Sequence, residues 1–396
     1  MMQISPETQL FIREHSSDDV RVLALQAKKY PDIDMPTAIT QIAGRKVAAE
    51  KIPSWWEIEK IWYPKHLSLE QCSSEITARY KARLLQGDSL TDLTGGFGID
   101  CSFLATGFKS TTYVERQEEL CEIAAHNFPV LNLNHINIKN EDGVTYLQAM
   151  SPVDCLFLDP ARRNEHGGKT VAISDCEPNV AELEELLLQK ANRVMIKLSP
   201  MLDLSLALKE LKQTQEVHIL SVNNECKELL ILLGQTSPTE ISSHCVNLST
   251  KGTQEEQHFV FTREQEQCSE CTYTDSLETY LYEPNASLLK AGAFRSIAAA
   301  YPVRKLHPNS HLYTSDTFIE NFPGRIFRIV NQCSFNKKEV KENLADLKKA
   351  NVTVRNFPAT VAELRKRLHL TEGGDTYLFA STLNNGQKVI IRCEKV

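Results

Sequence analysis

Four acidic residues, Asp92, Glu115, Asp142 and Asp159, follow short apolar runs one after another along the chain. Beside the first lies Leu90-Thr-Asp-Leu-Thr-Gly-Gly-Phe-Gly-Ile-Asp100, in which Thr94 precedes a turn dense in glycine (Gly95, Gly96, Gly98), and an apolar helical segment opens near Cys101. Glycine is wanted where backbone takes positive φ or a ligand comes close. An ionised carboxylate is an acceptor only, so a row of them suits a ligand rich in hydroxyls and amines. Glu115 is placed to accept both hydroxyls of a ribose and Asp142 an adenine amino group, with the rest of the molecule over the glycine turn. One acid at a strand end is commonplace, because acids often start helices as N-caps. Four at successive ends point to one shared crevice. The turn also lacks the third glycine of the dinucleotide fingerprint, since Gly98 is followed by Ile99-Asp100-Cys101. Asp100 would put negative charge where a pyrophosphate sits. The spacing therefore favours a cationic or zwitterionic nucleoside.

The elements that must hold these acids can be read from periodicity. Residues 1–85 read as helical: Ser5-Pro-Glu is an N-cap with proline in the first turn, and Val20, Leu23, Ala24 and Ala27 continue a helical face. Trp55, Trp56, Trp62 and Tyr63, bracketed by prolines, read as a buried seam between helices, with a stacking surface for a base as the alternative. Ser68 to Gln71 form a capping-box pattern. The polar set Gln71, Ser73, Ser74, Glu75 and Thr77 is richer than a cap needs, and Gln71 and Ser74 are candidates to reach over the glycine turn. From Leu90 onward strands alternate with helices, as in a parallel α/β sheet: strands end at Asp92, Glu115, Glu141-Asp142 and Asp159-Pro160, and helices are expected over 116–127 and 182–190. A fifth strand starts at Arg193, another runs from Glu216, and Glu228 to Leu233 closes the sheet. The polar loop from Arg162 to Asp175 has the character of a lid. A hairpin is expected over 241–266 with a polar tip at 249–257. An alanine-rich helix follows over 286–300, and after Arg325 a compact α/β pattern returns, with a helix over 337–349 and a hairpin turning at Asn384-Asn-Gly.

Composition bounds the partners. At 396 residues and 42% hydrophobic, the chain can bury a large core in two or three domains. No apolar run approaches about eighteen residues, which excludes a helical membrane span, and the start lacks a signal-peptide pattern. Eleven cysteines are scattered singly, as in reduced cytoplasmic proteins. The exception, Cys268 with Cys271, has no second pair to complete a zinc site, so no metal is expected. The net charge of −7 hides an asymmetry: from Arg325 to the end there are 14 Lys+Arg against 7 Asp+Glu, leaving the remainder at −14. A basic C-terminal module on an acidic body hints at an RNA or DNA partner, although for charge alone a solvated, lysine-rich surface is the readier explanation.

Asp92-Leu-Thr-Gly-Gly-Phe-Gly-Ile-Asp100, Tyr-Val-Glu115-Arg, Glu-Asp142-Gly and Leu-Asp159-Pro resemble the ordered motifs of class I S-adenosylmethionine-dependent methyltransferases. The Asp-x-Thr-x-Gly-x-Gly-x-Asp variant with Val-Glu-Arg is similar to that of bacterial ribosomal RNA guanine exocyclic-amine methyltransferases. The whole chain resembles a bacterial group of methyltransferases with a ferredoxin-like segment and a C-terminal THUMP-like domain; the run Glu-Gln-Cys-Ser-Ser-Glu, Tyr282-Glu-Pro-Asn and Glu363-Leu-Arg-Lys-Arg-Leu carry that wider likeness. The core motifs cover roughly residues 70–235. The resemblance implies a Rossmann-like sheet (86–270) behind an N-terminal helical region (1–85), a ferredoxin-like or linker segment (271–324) and a small α/β THUMP-like domain (325–396).

It also implies S-adenosyl-L-methionine as cofactor, held by Gln71, Ser74, Asp92, Thr94, Gly95, Gly96, Gly98, Asp100, Glu115, Arg116, Asp142 and Gly143. Asp159 and Pro160 stand where base-amine methyltransferases hold the target amine. Here Ala161-Arg162-Arg163 replaces the proline and aromatic of that pattern, and Arg162 and Arg163 offer instead a bidentate grip on phosphate or a flat surface for a base. THUMP domains bind structured RNA, which makes Lys337, Lys338, Arg365, Lys366 and Arg367 candidate phosphate contacts. The leading expectation is an RNA methyltransferase. The alternatives are an RNA-binding protein that keeps the fold without catalysis, and a methyltransferase of proteins or small molecules.

Overall fold

A computed structural model describes residues 4–162, 172–236, 238–250 and 256–396, without the side chains of His66 and Arg162. The chain divides into two compact units, residues 1–215 with 229–238, and residues 216–228 with 239–396.

The first unit opens with six helices: α1 (Pro6–Glu14), α2 (Val20–Leu25), α3 (Met35–Lys51), α4 (Pro53–Trp56), α5 (His66–Gln71) and α6 (Glu75–Ala82). Three starts are capped by side chains, with Ser5, Asp19 and Asp34 each accepting a backbone N–H; α5 instead starts at His66 without a side-chain cap, so the capping box expected at Ser68–Gln71 lies inside the helix and does not form. The expected aromatic seam is buried at Trp55 and Tyr63 but not at Trp56. Trp55 and Tyr63 pack with Ile52, Ala78 and Ile99 around Phe97, and the Trp55 and Phe97 rings meet edge-on at 5.2 Å. Trp62 lies flat on His126 at 3.7 Å, whereas Trp56 is exposed. Because Phe97 belongs to the glycine turn, this helical layer is bolted to the turn by burial of large aromatic surface.

The alternating part runs β1 (Ser89–Asp92), α7 (Ile99–Ala105), β2 (Ser110–Glu115), α8 (Glu118–Val130), β3 (Ile136–Asn140), α9 (Gly143–Ala149), β4 (Val153–Leu158), β5 (Ala161–Arg162), β6 (Cys176–Glu177), α10 (Val180–Lys190), β7 (Ala191–Leu198) and α11 (Leu204–Glu210). Strands β3, β2, β1, β4 and β7 lie side by side and all parallel. Residues 229–234 of β9 (Glu225–Gly234) then pair antiparallel with β7. From β1 the chain first winds outward through β2 and β3, then returns to place β4 on β1's other side. That reversal opens a crevice at the carboxyl ends of β1 and β4. The helix expected over 116–127 begins two residues later, because Glu115 takes the Gln117 N–H at 2.8 Å before the helix can start.

In the second unit, β8 (Thr214–Val222) pairs parallel with β10 (Ser242–Leu248), which pairs antiparallel with β11 (Glu256–Thr262); the tip residues 251–255 lie outside the described residues. After α12 (Arg263–Cys268) come β12 (Tyr280–Pro284), α13 (Ala286–Ala291), α14 (Ser296–Ala300), β13 (Arg304–Lys305) and β14 (Tyr313–Ser315), then β15 (Gly324–Ser334), α15 (Lys337–Leu344), β16 (Asn351–Arg355), α16 (Val361–Leu368), β17 (Thr376–Thr382) and β18 (Lys388–Lys395). Seven of these strands make one sheet in the order β13-β14-β12-β15-β18-β17-β16. The single helix expected over 286–300 is two, since Gly292 at φ +80° ends α13 in the left-handed conformation. Likewise α15 stops at Leu344, short of the 349 its periodicity predicts. Glu283, buried in β12, binds Arg325 and, at 3.0 Å, Arg355, linking β12, β15 and β16 through one carboxylate.

Candidate functional site

Of the residues expected to hold a ligand, Asp92, Thr94 and Asp159 meet at the β1/β4 crevice, and Gly96 and Glu115 meet beside it. Asp92 ends β1 fully buried, and its Oδ1 accepts the Thr94 N–H at 2.9 Å. Its Oδ2 is buried with no hydrogen-bond partner among the described residues. An unpaired buried carboxylate oxygen costs about 1–3 kcal/mol, so it marks a place where a donor is missing. Thr94 ties the two sides of the crevice together, for its hydroxyl accepts the Asp159 N–H at 2.6 Å. Gly95 donates to the Val114 carbonyl, and Gly96 to Glu115 Oε2 at 2.9 Å. Gly96 and Gly98 take φ of +54° and +86°. A Cβ on Gly96 would meet nothing nearer than a carbonyl at 3.7 Å, so the turn presents open backbone. Asp142 caps α9 by accepting the Val144 and Thr145 N–H groups at 3.0 Å and keeps an exposed side chain. Gly143 behind it packs so tightly on the Leu93 carbonyl that a Cβ would lie 2.2 Å away.

The structure adds partners that the sequence did not disclose. Lys197, near the end of β7, reaches Asp159 Oδ2 at 2.5 Å and Asp100 Oδ2 at 3.3 Å. Lys81, wholly buried on α6, reaches Asp100 Oδ1 at 2.9 Å. Ser73 joins them, donating to Asp100 at 2.7 Å and accepting from both lysines. Asp100 is thus neutralised inside the protein. Of the polar set before β1 it is Ser73 that enters this network. Gln71 lies exposed at the end of α5, and Ser74 meets Thr77. Arg116 pairs with Glu177 at 3.2 Å on the surface. Pro160 is buried just past β4; the Arg162 side chain, Arg163 and most of the expected lid lie outside the described residues.

Over its whole length the chain is similar to a crystal structure from Porphyromonas gingivalis W83, of a protein assigned as a methyltransferase. Identity is 34%, all of both chains is covered, and the TM-score is 0.88. The chain belongs to this class I methyltransferase family. The match includes the family's outer parts: residues 280–323 match a ferredoxin-like domain and residues 324–395 a THUMP-like domain. Weaker likenesses are to a Streptococcus thermophilus rRNA methylase (14% identity) and a Streptococcus mutans protein assigned as a methyltransferase, in complex with SAH (13%). Each covers 40% of this chain, against 94% and 96% of the other, at a TM-score of 0.30, too low to carry an argument. A search of curated proteins finds no match.

The electrostatics of the methyltransferase crevice follow from burial. Burial pushes the Asp92 carboxyl up to about 8; the Thr94 N–H opposes this, and Asp100, Asp159 and Glu115 add to it. Burial also raises Asp159, against the pull of Lys197. At Asp100 burial acts the same way, but Lys81 and Lys197, with hydrogen bonds from Lys81 and Ser73, outweigh it and hold that carboxyl well below the ordinary range. Protonated, Asp92 adds no charge to the pairs that Asp100 and Asp159 make with Lys81 and Lys197. A cation arriving at Asp92 restores balance when that proton leaves.

In the THUMP-like domain, the five basic candidates separate. Arg367 lies over the Phe335 ring at 4.1 Å, one residue before the N-cap of α15. That contact brings it beside the exposed Lys337 and Lys338, which open the helix. Lys366 is exposed, while Arg365 turns to Glu372 at 3.1 Å. Among the described residues no helix is long and apolar enough to cross a membrane.

Proposed function

We propose that the protein is an S-adenosylmethionine-dependent methyltransferase acting on an RNA base. The observation that carries this reading is the unpaired, buried Asp92 oxygen at the edge of an open glycine turn. A ligand with an ammonium group supplies the missing donor. Glu115, beside Gly96, suits ribose hydroxyls, and Asp142, at the neighbouring strand end, an adenine amine. When bound, the cofactor supplies a methyl group on a cationic sulfur.

The chain's own share is placement. In-line approach of acceptor and methyl needs little proton chemistry, and positioning alone is worth several kcal/mol. Asp159 takes the role of orienting the acceptor: its N–H is fixed by Thr94, and one carboxylate oxygen is held by Lys197. The THUMP-like domain and its basic residues support RNA as the substrate class. Calorimetric titration with S-adenosylmethionine tests the cofactor: wild type binds, and Asp92→Ala and Glu115→Ala lose affinity at least about tenfold. Unchanged binding in both variants counts against the site. Transfer of labelled methyl to RNA from a strain lacking the gene tests the substrate; label in protein instead moves the assignment to protein methylation.

A further inference from the structure

The second unit carries another constellation that owes nothing to the crevice. Glu216 and His218 lie two residues apart on β8 and so share one face. His244 on β10 is registered directly against His218. His258 on β11 lies diagonally across from His244, whose direct partner is Val260. The His218 and His244 rings stack at 4.3 Å, and those of His244 and His258 at 5.3 Å. His244 Nδ1 is 3.2 Å from His258 Nε2, and His218 Nε2 is 3.3 Å from Glu216 Oε2. One ligand atom each from Glu216, His218 and His244 falls within 4.8 Å of the others. A tetrahedral dication with bonds of about 2.0–2.1 Å spaces its ligands roughly 3.3 Å apart. The Glu216–His218 separation already meets that figure, and rotation about side-chain bonds closes the others from 4.8 Å or less.

We propose that Glu216, His218 and His244 bind a divalent transition-metal ion, with zinc the best fit and His258 as the outer partner that orients the His244 ring. Imidazole nitrogen with one carboxylate is a donor set for zinc and its neighbours, whereas magnesium and calcium require oxygen throughout. The burial is graded: His218 is buried, Glu216 and His244 are half-buried, and His258 is exposed, which gives an ion a way in. Bound there, the ion cross-links β8 and β10, and through mass action it stabilises the folded chain.

The test uses the full-length chain carrying Cys268→Ser and Cys271→Ser, so that these thiols contribute nothing, stripped by chelator and titrated with Zn²⁺ alone. One ion per chain is expected, with a rise in Tm. Loss of outer partners of a metal typically costs about 10–100-fold in affinity, so His258→Ala, which removes the partner of His244, should cost at least about tenfold. His244→Ala should abolish the rise in Tm. His258 is exposed, so its variant folds even if His244→Ala does not. Co²⁺ in place of zinc should give the intense visible d–d bands of a tetrahedral site, which the weakly absorbing aqueous ion lacks. Absence of Zn²⁺ uptake by the parent, uptake unchanged in His258→Ala, or equal binding of Mg²⁺ overturns the proposal and leaves the rings as a hydrogen-bonded stack.

Discussion

Asp92 is where local chemistry departs most from the ordinary. Its carboxyl titrates near 8 in the folded chain, against about 3.9 when unfolded. Folding therefore takes up a proton between those values, and stability falls as pH rises through that window. Asp92→Asn keeps the acceptor for the Thr94 N–H but cannot ionise. In chemical denaturation it should match wild type near pH 4 and exceed it at pH 8, by an amount on the order of a few kcal/mol. The same variant should fail to bind S-adenosylmethionine. For wild type, affinity should climb with pH to about 8 and then level, because a cation prefers the ionised carboxylate; a flat profile across that range would exclude Asp92 as its partner. Lys197 offers a complementary case. Lys197→Met leaves the partly exposed Asp159 without its cation and Asp100 with Lys81 alone, so its cost should fall below the penalty of about 3–5 kcal/mol for a fully buried charge left unpaired. The denaturant midpoint should fall accordingly, and an unchanged midpoint would show that this alliance contributes nothing.

Among elements, the glycine turn and the β3–α9 connection do different work, and two substitutions separate them. Gly96→Ala meets open space, so its cost to folding is only the left-handed backbone, roughly 1 kcal/mol. The added methyl projects from the turn that would face the ligand, so cofactor affinity should drop while Tm barely moves. Gly143→Ala drives a Cβ into the Leu93 carbonyl. That backbone has little room to yield, since the Leu93 N–H is bonded to Phe157 across β4 at 3.0 Å. Overpacking of this kind typically costs about 1–3 kcal/mol, so Gly143→Ala should lose both stability and binding. Equal thermal shifts for the two variants would contradict this division. The strands themselves were legible in the sequence, because an apolar run closed by an acid is a local signal: β1 and β2 close on Asp92 and Glu115, while β3 and β4 stop at Asn140 and Leu158, just before the expected acids. Element ends were less so: α8 starts late because the Glu115 side chain reaches past the end of its own strand, and Gly292 cuts a helix that alanine content alone extends.

At the scale of the whole molecule, the methyltransferase fold is joined in one chain to a THUMP-like domain with surplus positive charge. RNA binding through it should weaken linearly in log–log terms with salt, by about 0.7 per phosphate contact on a single strand. Neutralising Lys337, Lys338, Lys366 and Arg367 should flatten that slope. Arg365, paired with Glu372, should matter less to it. A filter-binding series from low to high salt reads both, and a slope unaltered by the quadruple variant would move the RNA surface elsewhere.

By itself, the sequence determined what neighbours along the chain can determine: the order of strands and helices, the acids that close them, the glycine turn between, and the basic tail. Only the tertiary structure decided which distant groups meet. Lys197 and Asp100 stand 97 residues apart, and Lys197 and Ser73 stand 124 apart; a lone buried lysine carries no mark of its partner until strands β1, β4 and β7 lie side by side. His218, His244 and His258 are equally silent in sequence, because the separation that matters to an ion is set across strands and not along them.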